Sequence, residues 1–267
     1  MPEPTGPAVA ACGDVAWPLV LVLLPPSETK ATGGDGAPLD LAALTAPELT
    51  PTRTRIAETL VKLADDIPAS RTALGLSPNQ DDEIERNAAL WSSPTMPALA
   101  RYTGVLYDAL DLASMTRAQR TRAAHRLAVG SALFGLVRAD DPIPGYRLSA
   151  GSALPGLPTL RSMWKAVLSP VLAATDGLVV DLRSGSYAAL APVPGAVTVQ
   201  VLSERPDGRR SVVSHFNKAH KGRLARLLAT STAEPADVVG LRRLLRRAGL
   251  HVEHDGETAL ALVVPTG

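Results

Sequence analysis

Cysteine and aromatic residues are scarce in this chain. Of its 267 residues one is cysteine, Cys12, and 3% are Phe, Trp or Tyr. A lone cysteine forms no internal disulfide and no Cys-x-x-Cys site, which argues against a thiol peroxidase or a cluster protein and fits a reducing cytoplasm. So few aromatic side chains also argue against a base-stacking platform for single-stranded nucleic acid.

Membrane-length apolar runs and metal-ligand spacings are missing as well. The apolar run 19–24 is too short to span a bilayer, and we expect no membrane partner. His215 and His220 are five residues apart and His251 and His254 three apart, and neither spacing is that of H-E-x-x-H. We therefore expect no bound metal and no cofactor.

Charge is balanced overall but uneven along the chain. The formal net charge is +1, yet between Ser203 and His251 eleven Lys or Arg stand against four Asp or Glu. A phosphate backbone would be attracted to this C-terminal portion.

The chain is long enough for one large domain or two small ones, and it shows no internal repeat and no clear linker. Residues 1–16, rich in Ala, Gly and Pro, lack the pattern of a signal peptide and are expected to be a disordered lead. Residues 17–267 are expected to form one compact α/β domain, with a mixed central sheet flanked by helices.

Buried strands are predicted at 19–24 and 178–182, since both runs are rich in Val and Leu. Pro25 and Pro26 end the first strand because neither can donate to a ladder. A hairpin is predicted around Pro206–Gly208, and helices are predicted over 50–67, 117–127, 217–228 and 235–248. A helix starting after Thr159 should be kinked or split at Pro170. The arginines of the helix 117–127 are interpreted as a solvated face.

Polar clusters follow three predicted strands, at Ser27–Lys30, Arg183–Tyr187 and Ser214–Lys221. Ligands of open α/β sheets bind beyond the carboxyl ends of strands, so these clusters could line one pocket. Lysines beside serines suit an activated nucleophile, and Lys, Arg and hydroxyl groups equally suit a bound phosphate or carboxylate. The alternative is separate loops with solvated charges. The pocket candidates are Ser27, Lys30, Arg183, Ser184, Ser186, Tyr187, Asn217 and Lys218.

A second set of residues is a candidate for binding duplex DNA, which needs only cations and backbone amides at phosphates. Arg242–Arg243 and Arg246–Arg247 repeat at helical spacing. Leu133–Leu136 has the form of a hairpin that presents amides to phosphate, although a strand-to-turn transition would look the same. Solvated helix faces remain the alternative. The nucleic-acid candidates are Arg138, Lys218, Lys221, Arg223, Arg226, Arg242, Arg243, Arg246 and Arg247.

From residue 19 onward, the order and spacing of these motifs resemble the peroxide stress protein YaaA family. The resemblance implies a single α/β domain and a cytoplasmic bacterial protein of the peroxide response, one that limits free iron and so hydroxyl-radical damage. It also implies duplex DNA binding through a basic cleft and a helix-hairpin-helix, which we map onto Leu133–Leu136. It implies no established reaction. An enzyme with a Lys/Ser/Tyr/Asn pocket for a phosphate- or carboxylate-bearing molecule is the alternative. The matching segments are Pro25–Lys30, Tyr102–Gly104, Ser131–Arg138, Tyr146–Leu148, Trp164, Leu182–Tyr187 and Ser214–Gly222.

Overall fold

A computed structural model describes residues 17–213 and 217–265 of the chain. The expected lead 1–16 with Cys12, and the motif residues Ser214–Phe216, lie outside the described residues. The strands are β1 Val20–Leu24, β2 Gly36–Pro38, β3 Pro94–Pro97, β4 Leu127–Ser131, β5 Gly135–Arg138, β6 Pro142–Ile143, β7 Leu178–Asp181, β8 Val197–Glu204, β9 Arg210–Val212, β10 His251–His254 and β11 Ala259–Pro265. The helices are α1 Thr50–Leu63, α2 Ile67–Leu74, α3 Asp82–Ala88, α4 Ala98–Arg101, α5 Val105–Leu110, α6 Arg117–Arg126, α7 Leu160–Ala173, α8 Gly185–Ala188, α9 Asn217–Thr230 and α10 Val238–Arg247.

An eight-stranded sheet forms the centre, in the order β10-β11-β8-β7-β1-β4-β5, with β9 paired to β8. Strands β11, β8, β7, β1 and β4 run parallel, while β10, β9 and β5 are antiparallel to their neighbours. The prediction of an α/β fold with a mixed central sheet is confirmed. A small antiparallel sheet, β2-β3-β6, is added to it.

Strand β1 is central because all five of its residues are apolar and buried. It pairs in parallel with β4 on one side, Val22 opposite Leu127, and with β7 on the other, Val22 opposite Val180. Helices α6 and α9 contact it. Strand order thus reverses at β1, and the carboxyl ends of β1 and β7 adjoin at the point where ligands bind in open α/β sheets.

Two helix predictions need correction. Helix α7 continues through Pro170, so of the two alternatives predicted there, a kink or a split, the split is wrong. Helix α6 begins at the predicted cap, Thr116, in a capping box with Gln119, but its arginines are not all solvated. Arg126 is buried and donates to the carbonyl oxygens of Leu228, Ser231 and Ala233, with distances of 2.7 to 3.1 Å.

The mapping of a helix-hairpin-helix onto Leu133–Leu136 is wrong. These residues form the turn and first pairs of the antiparallel β4–β5 hairpin, and their side chains are fully buried. The amides of Leu133 and Phe134 are already bonded to Ser131 Oγ, at 3.2 and 3.0 Å. No amide of this pair is left for a phosphate.

No helix in the described part of the chain is long and apolar enough to cross a membrane.

Candidate functional site

A cavity of about 750 Å³ lies beyond the carboxyl ends of β1 and β7 and is called here the strand-end cavity. Its wall comes from the segment after β1, the start of α5, the segment after β7 and the first turns of α9. It brings together seven of the eight predicted pocket residues. They are Ser27, Arg183, Ser184, Ser186, Tyr187, Asn217 and Lys218.

The segment after β1 contributes hydroxyl groups to the cavity. Ser27 Oγ lies 3.1 Å from Thr29 Oγ1, which also accepts from the Thr103 hydroxyl at 3.2 Å. Gly104, at a φ of 97°, sits against this pair, and a Cβ there would lie 3.3 Å from Thr29 Oγ1. Glycine is suited to this position because an L side chain rarely adopts that φ.

Lys30, the eighth predicted residue, does not line the cavity. It is 8% exposed and lies behind the wall, where its Nζ donates to the carbonyl oxygens of Ser27 at 3.0 Å and Glu28 at 3.4 Å. Burial, with a smaller contribution from the charges of Arg147 and Arg86, lowers the pKa of Lys30 to about 7 against the opposing effects of Glu83 and Glu28. Its contacts assign Lys30 to holding the wall in place.

All four tyrosines of the chain belong to this region. Tyr107 and Tyr187 line the cavity. Tyr102 stacks on Tyr107 with 5.6 Å between ring centroids, and its hydroxyl lies 2.8 Å from that of Tyr146. Burial raises the pKa of Tyr187 to about 12, so this hydroxyl stays protonated at neutral pH.

The end of β7 is fixed by a buried ion pair. Arg183 donates from Nε and Nη2 to the two carboxylate oxygens of Asp181, at 2.9 and 2.7 Å, and also to the carbonyl of Ala191 at 3.0 Å. Arg183 is therefore committed to the protein itself. The exposed hydroxyls of Ser184 and Ser186, 3.3 Å apart, are what this segment offers to a ligand.

The first turns of α9 bring cations to the cavity. Lys218 is exposed, whereas Lys221 is partly buried and donates to the carbonyl of Leu182 at 3.1 Å. Burial lowers the pKa of Lys221, and Asp181 partly offsets the effect. Asn217 Oδ1 is buried and has no hydrogen-bond partner among the described residues.

The other predicted nucleic-acid residues do not share this surface. Arg138 pairs with Ala128 near the amino end of β4, away from the strand-end cavity, and donates to the carbonyl of His125. Arg226 donates to the carbonyl of Leu110 at 2.8 Å and to Ser114 Oγ at 2.7 Å, which ties α9 to the end of α5. Arg223 is exposed on α9.

The α10 arginines form a separate group. Arg242, Arg243, Arg246 and Arg247 line a shallow hollow with Val239, and we call this surface the α10 arginine face. Within the described ranges there is no group of three or more His, Cys, Asp or Glu placed to hold a metal ion.

Sequence reasoning missed two polar contributors to the wall, Thr103 and Tyr107, whereas Thr29 lies within the predicted cluster Ser27–Lys30. Thr103 and Tyr107 come from a segment some 75 residues away from Ser27, where no buried strand pointed to a site. One signal was available, because Tyr107 is one of only four tyrosines in the chain.

Comparisons with known proteins agree on one family. The family model described as peroxide stress protein YaaA matches residues 20–255. A UPF0246 protein of Corynebacterium efficiens is 51% identical over 251 residues, covering 92% of this chain and all of that relative. A UPF0246 protein of Corynebacterium glutamicum is 47% identical over the same share of each chain. One from Streptomyces coelicolor is 49% identical over 88% of this chain and 92% of its own. The chain belongs to the peroxide stress protein YaaA family.

Proposed function

We propose that this protein acts in the cytoplasmic response to peroxide by binding duplex DNA, and that it thereby limits the hydroxyl-radical damage caused by free iron. Family membership supports the peroxide response. The α10 arginine face is the observation that carries the DNA-binding part.

Helix α10 separates its apolar and cationic residues. Leu241 and Leu245 are buried, and the helix contacts β10. The four arginines line the hollow on the outside, and within the described ranges no carboxylate or hydrogen bond engages their guanidinium groups. Some exposed arginines elsewhere pair with acids: Arg210, for example, binds Glu204 and Glu253 at 2.7 to 3.0 Å. A row of uncompensated arginines favours a polyanionic partner.

The spacing of the arginines suits a phosphate backbone. Residues four apart on a helix are separated by about 6 Å along its axis. The arginine pairs 242–243 and 246–247 therefore place their charges about one helical turn apart. Guanidinium groups bind phosphate oxygens in bidentate fashion, which lysine cannot do. Duplex DNA is favoured over a single strand, because Tyr102, Tyr107 and Tyr146 are buried and cannot stack on bases.

The test is binding of a short duplex at several salt concentrations by the wild type and by a variant with all four α10 arginines changed to Ala. Each lost phosphate contact should reduce the salt slope by about 0.9. We therefore expect a clear loss of affinity at low salt and a shallower slope.

A matched control removes four exposed arginines elsewhere: Arg55, Arg117, Arg161 and Arg205, each changed to Ala. Both variants change the formal net charge from +1 to −3, so a purely global electrostatic effect would be equal in the two. Equal affinities for DNA in the two variants would contradict the assignment of the α10 arginine face.

A further inference from the structure

The strand-end cavity is lined by two lysines, Lys218 and Lys221, that are not part of the α10 arginine face. We propose that this cavity is a binding site for a small phosphate-bearing molecule of about mononucleotide size. This proposal does not depend on DNA binding by α10. It is carried by the cavity's charge, its polar groups and its size.

The charge of the lining is uncompensated at the two lysines. The lining acid Glu28 pairs with Arg147, its Oε2 lying 2.8 Å from Nη2, and the lining cation Arg183 pairs with Asp181. Lys218 has no ion pair within the described ranges, and Lys221 donates only to the carbonyl of Leu182. Two ammonium groups facing a concave wall without a matching carboxylate favour an anion.

Hydroxyl groups surround these cations. Ser27 and Thr29 come from one side, and Ser184 and Ser186 come from the other. In the Ser184–Ser186 pair one hydroxyl can donate to the other, and the second then keeps its proton for a ligand. In the other pair Thr29 donates to the carbonyl of Thr103 at 3.4 Å, so Ser27 is the hydroxyl that can donate to a ligand. Ammonium and hydroxyl donors on opposite walls match the several acceptor oxygens of one phosphate group.

Asn217 is an independent sign that the ligand is more than a bare anion. Its Oδ1 is a buried acceptor with no partner among the described residues. Leaving a buried polar group unsatisfied is unfavourable, and such groups are normally paired. The ionised oxygens of a phosphate group only accept hydrogen bonds and cannot satisfy this acceptor, whereas a hydroxyl or amino group on the rest of the ligand can donate to it.

The remaining wall can accommodate a ligand body. Pro25, Pro26 and Val105 provide apolar surface, and Val105 is 53% exposed. A volume of about 750 Å³ lies within the range of small-molecule sites, roughly 300 to 1,000 Å³, and is far more than inorganic phosphate would fill.

Calorimetry of the full chain with adenosine monophosphate and with inorganic phosphate tests this proposal. We expect saturable binding of the nucleotide, with affinity for inorganic phosphate about tenfold weaker or worse because it leaves the apolar wall empty. Lys218→Met/Lys221→Met should weaken nucleotide binding at least about tenfold. Lys62→Met/Lys165→Met, which removes the same charge at residues outside the cavity, should leave it unchanged.

Asn217→Ala tests the contact with the body of the ligand separately from the contacts with its phosphate group. It should weaken binding of the nucleotide several-fold and leave inorganic phosphate unaffected. No saturable heat with either probe at millimolar concentration would overturn the proposal. So would an equal loss in the two double-lysine variants.

The phosphate group could instead come from DNA, and a further arm separates the two sources. The α10 quadruple variant should retain nucleotide binding in full. If the wild type binds no nucleotide while Lys218→Met/Lys221→Met weakens duplex binding, the lysines serve the DNA backbone and the small-molecule site is refuted.

Discussion

Lys30 and Tyr146 form a buried cation–π contact in which Nζ lies 4.2 Å from the ring centroid. The same ammonium group binds two carbonyls of the segment that walls the strand-end cavity. The contact therefore joins the rigid Tyr102–Tyr146–Ser131 hydroxyl cluster, whose oxygens are 2.8 Å apart, to the most polar wall of the site. The buried side chain of Lys30 thus holds the segment after β1 in place through its carbonyl groups.

This burial predicts a pH-dependent stability. Burial lowers the pKa of Lys30 from 10.5 to about 7, so between these pH values the unfolded chain binds a proton that the folded chain does not. The contribution of Lys30 to the unfolding free energy of the wild type should thus be lowest below pH 7 and should rise as the pH approaches 10. Relative to Lys30→Met the gain should be on the order of 4 kcal/mol at most.

Urea unfolding of both proteins at a series of pH values measures this difference, and all other titrating groups cancel in the comparison. A difference in unfolding free energy that stays constant from pH 6 to pH 10 would mean that Lys30 keeps an ordinary pKa. Lys62→Met, which removes an exposed ammonium group, serves as the control for the loss of one positive charge.

Close packing between α9 and α5 predicts a specific glycine effect. A Cβ on Gly222 would contact the carbonyl oxygen of Leu106 and lie 2.8 Å from Ala109 Cβ. Gly222→Ala must push the helices apart, and we expect it to cost about 1 to 3 kcal/mol of unfolding free energy despite the higher helix propensity of alanine. Because α9 carries Lys218 and Lys221, ligand binding in the cavity should weaken too.

Thermal unfolding checks this expectation, with Gly151→Ala as the comparison. A Cβ on Gly151 would meet no atom within 4 Å, so this variant should unfold close to the wild-type temperature. Equal midpoints for the two variants would show that α5 and α9 are less tightly packed than the structure indicates.

The elements that the sequence predicted well are those set by local pattern. Strand β1 follows from its uninterrupted apolar run and the two prolines, and the start of α6 follows from Thr116, a residue type favoured as a helix cap. The convergence of the polar strand ends was also within reach, because parallel strands place their carboxyl ends together.

The sequence could not show whether a long cationic side chain is exposed or buried, or which groups it binds. Lys30, Arg53, Arg101 and Arg126 read as surface cations in any local window, yet each is buried and donates to backbone carbonyls. Lys30 binds carbonyls two and three residues away, but each of the three arginines binds at least one carbonyl of a segment distant in the chain, up to 107 residues away for Arg126. Only tertiary contact decides such a pairing, and for the same reason the α10 arginines could not be told apart from those of α6.

Arg53 illustrates the energetic weight of these buried cations. It is fully buried and donates to the carbonyls of Thr45, Ala46, Phe134 and Leu136, at 2.7 to 3.2 Å. Arg53→Met leaves four carbonyl oxygens without these donors, and we expect a loss of about 3 to 5 kcal/mol. Denaturant unfolding measures it, and Arg53→Lys should recover only part because an ammonium cannot reproduce the guanidinium fork.

The Asp181–Arg183 pair predicts a non-additive result. Asp181→Asn leaves the buried guanidinium without its counter-charge and should cost about 3 to 5 kcal/mol, and Arg183→Met should cost a similar amount by stranding the carboxylate. The double variant removes both charges, so it should be more stable than either single variant. Denaturant unfolding of the four proteins gives the coupling free energy. Strictly additive losses would mean that the two groups act independently and that the bidentate contact does not hold the end of β7. In that case the position of Ser184 and Ser186 beside the cavity would not depend on the pair, and nucleotide binding should then be as strong in the double variant as in the wild type.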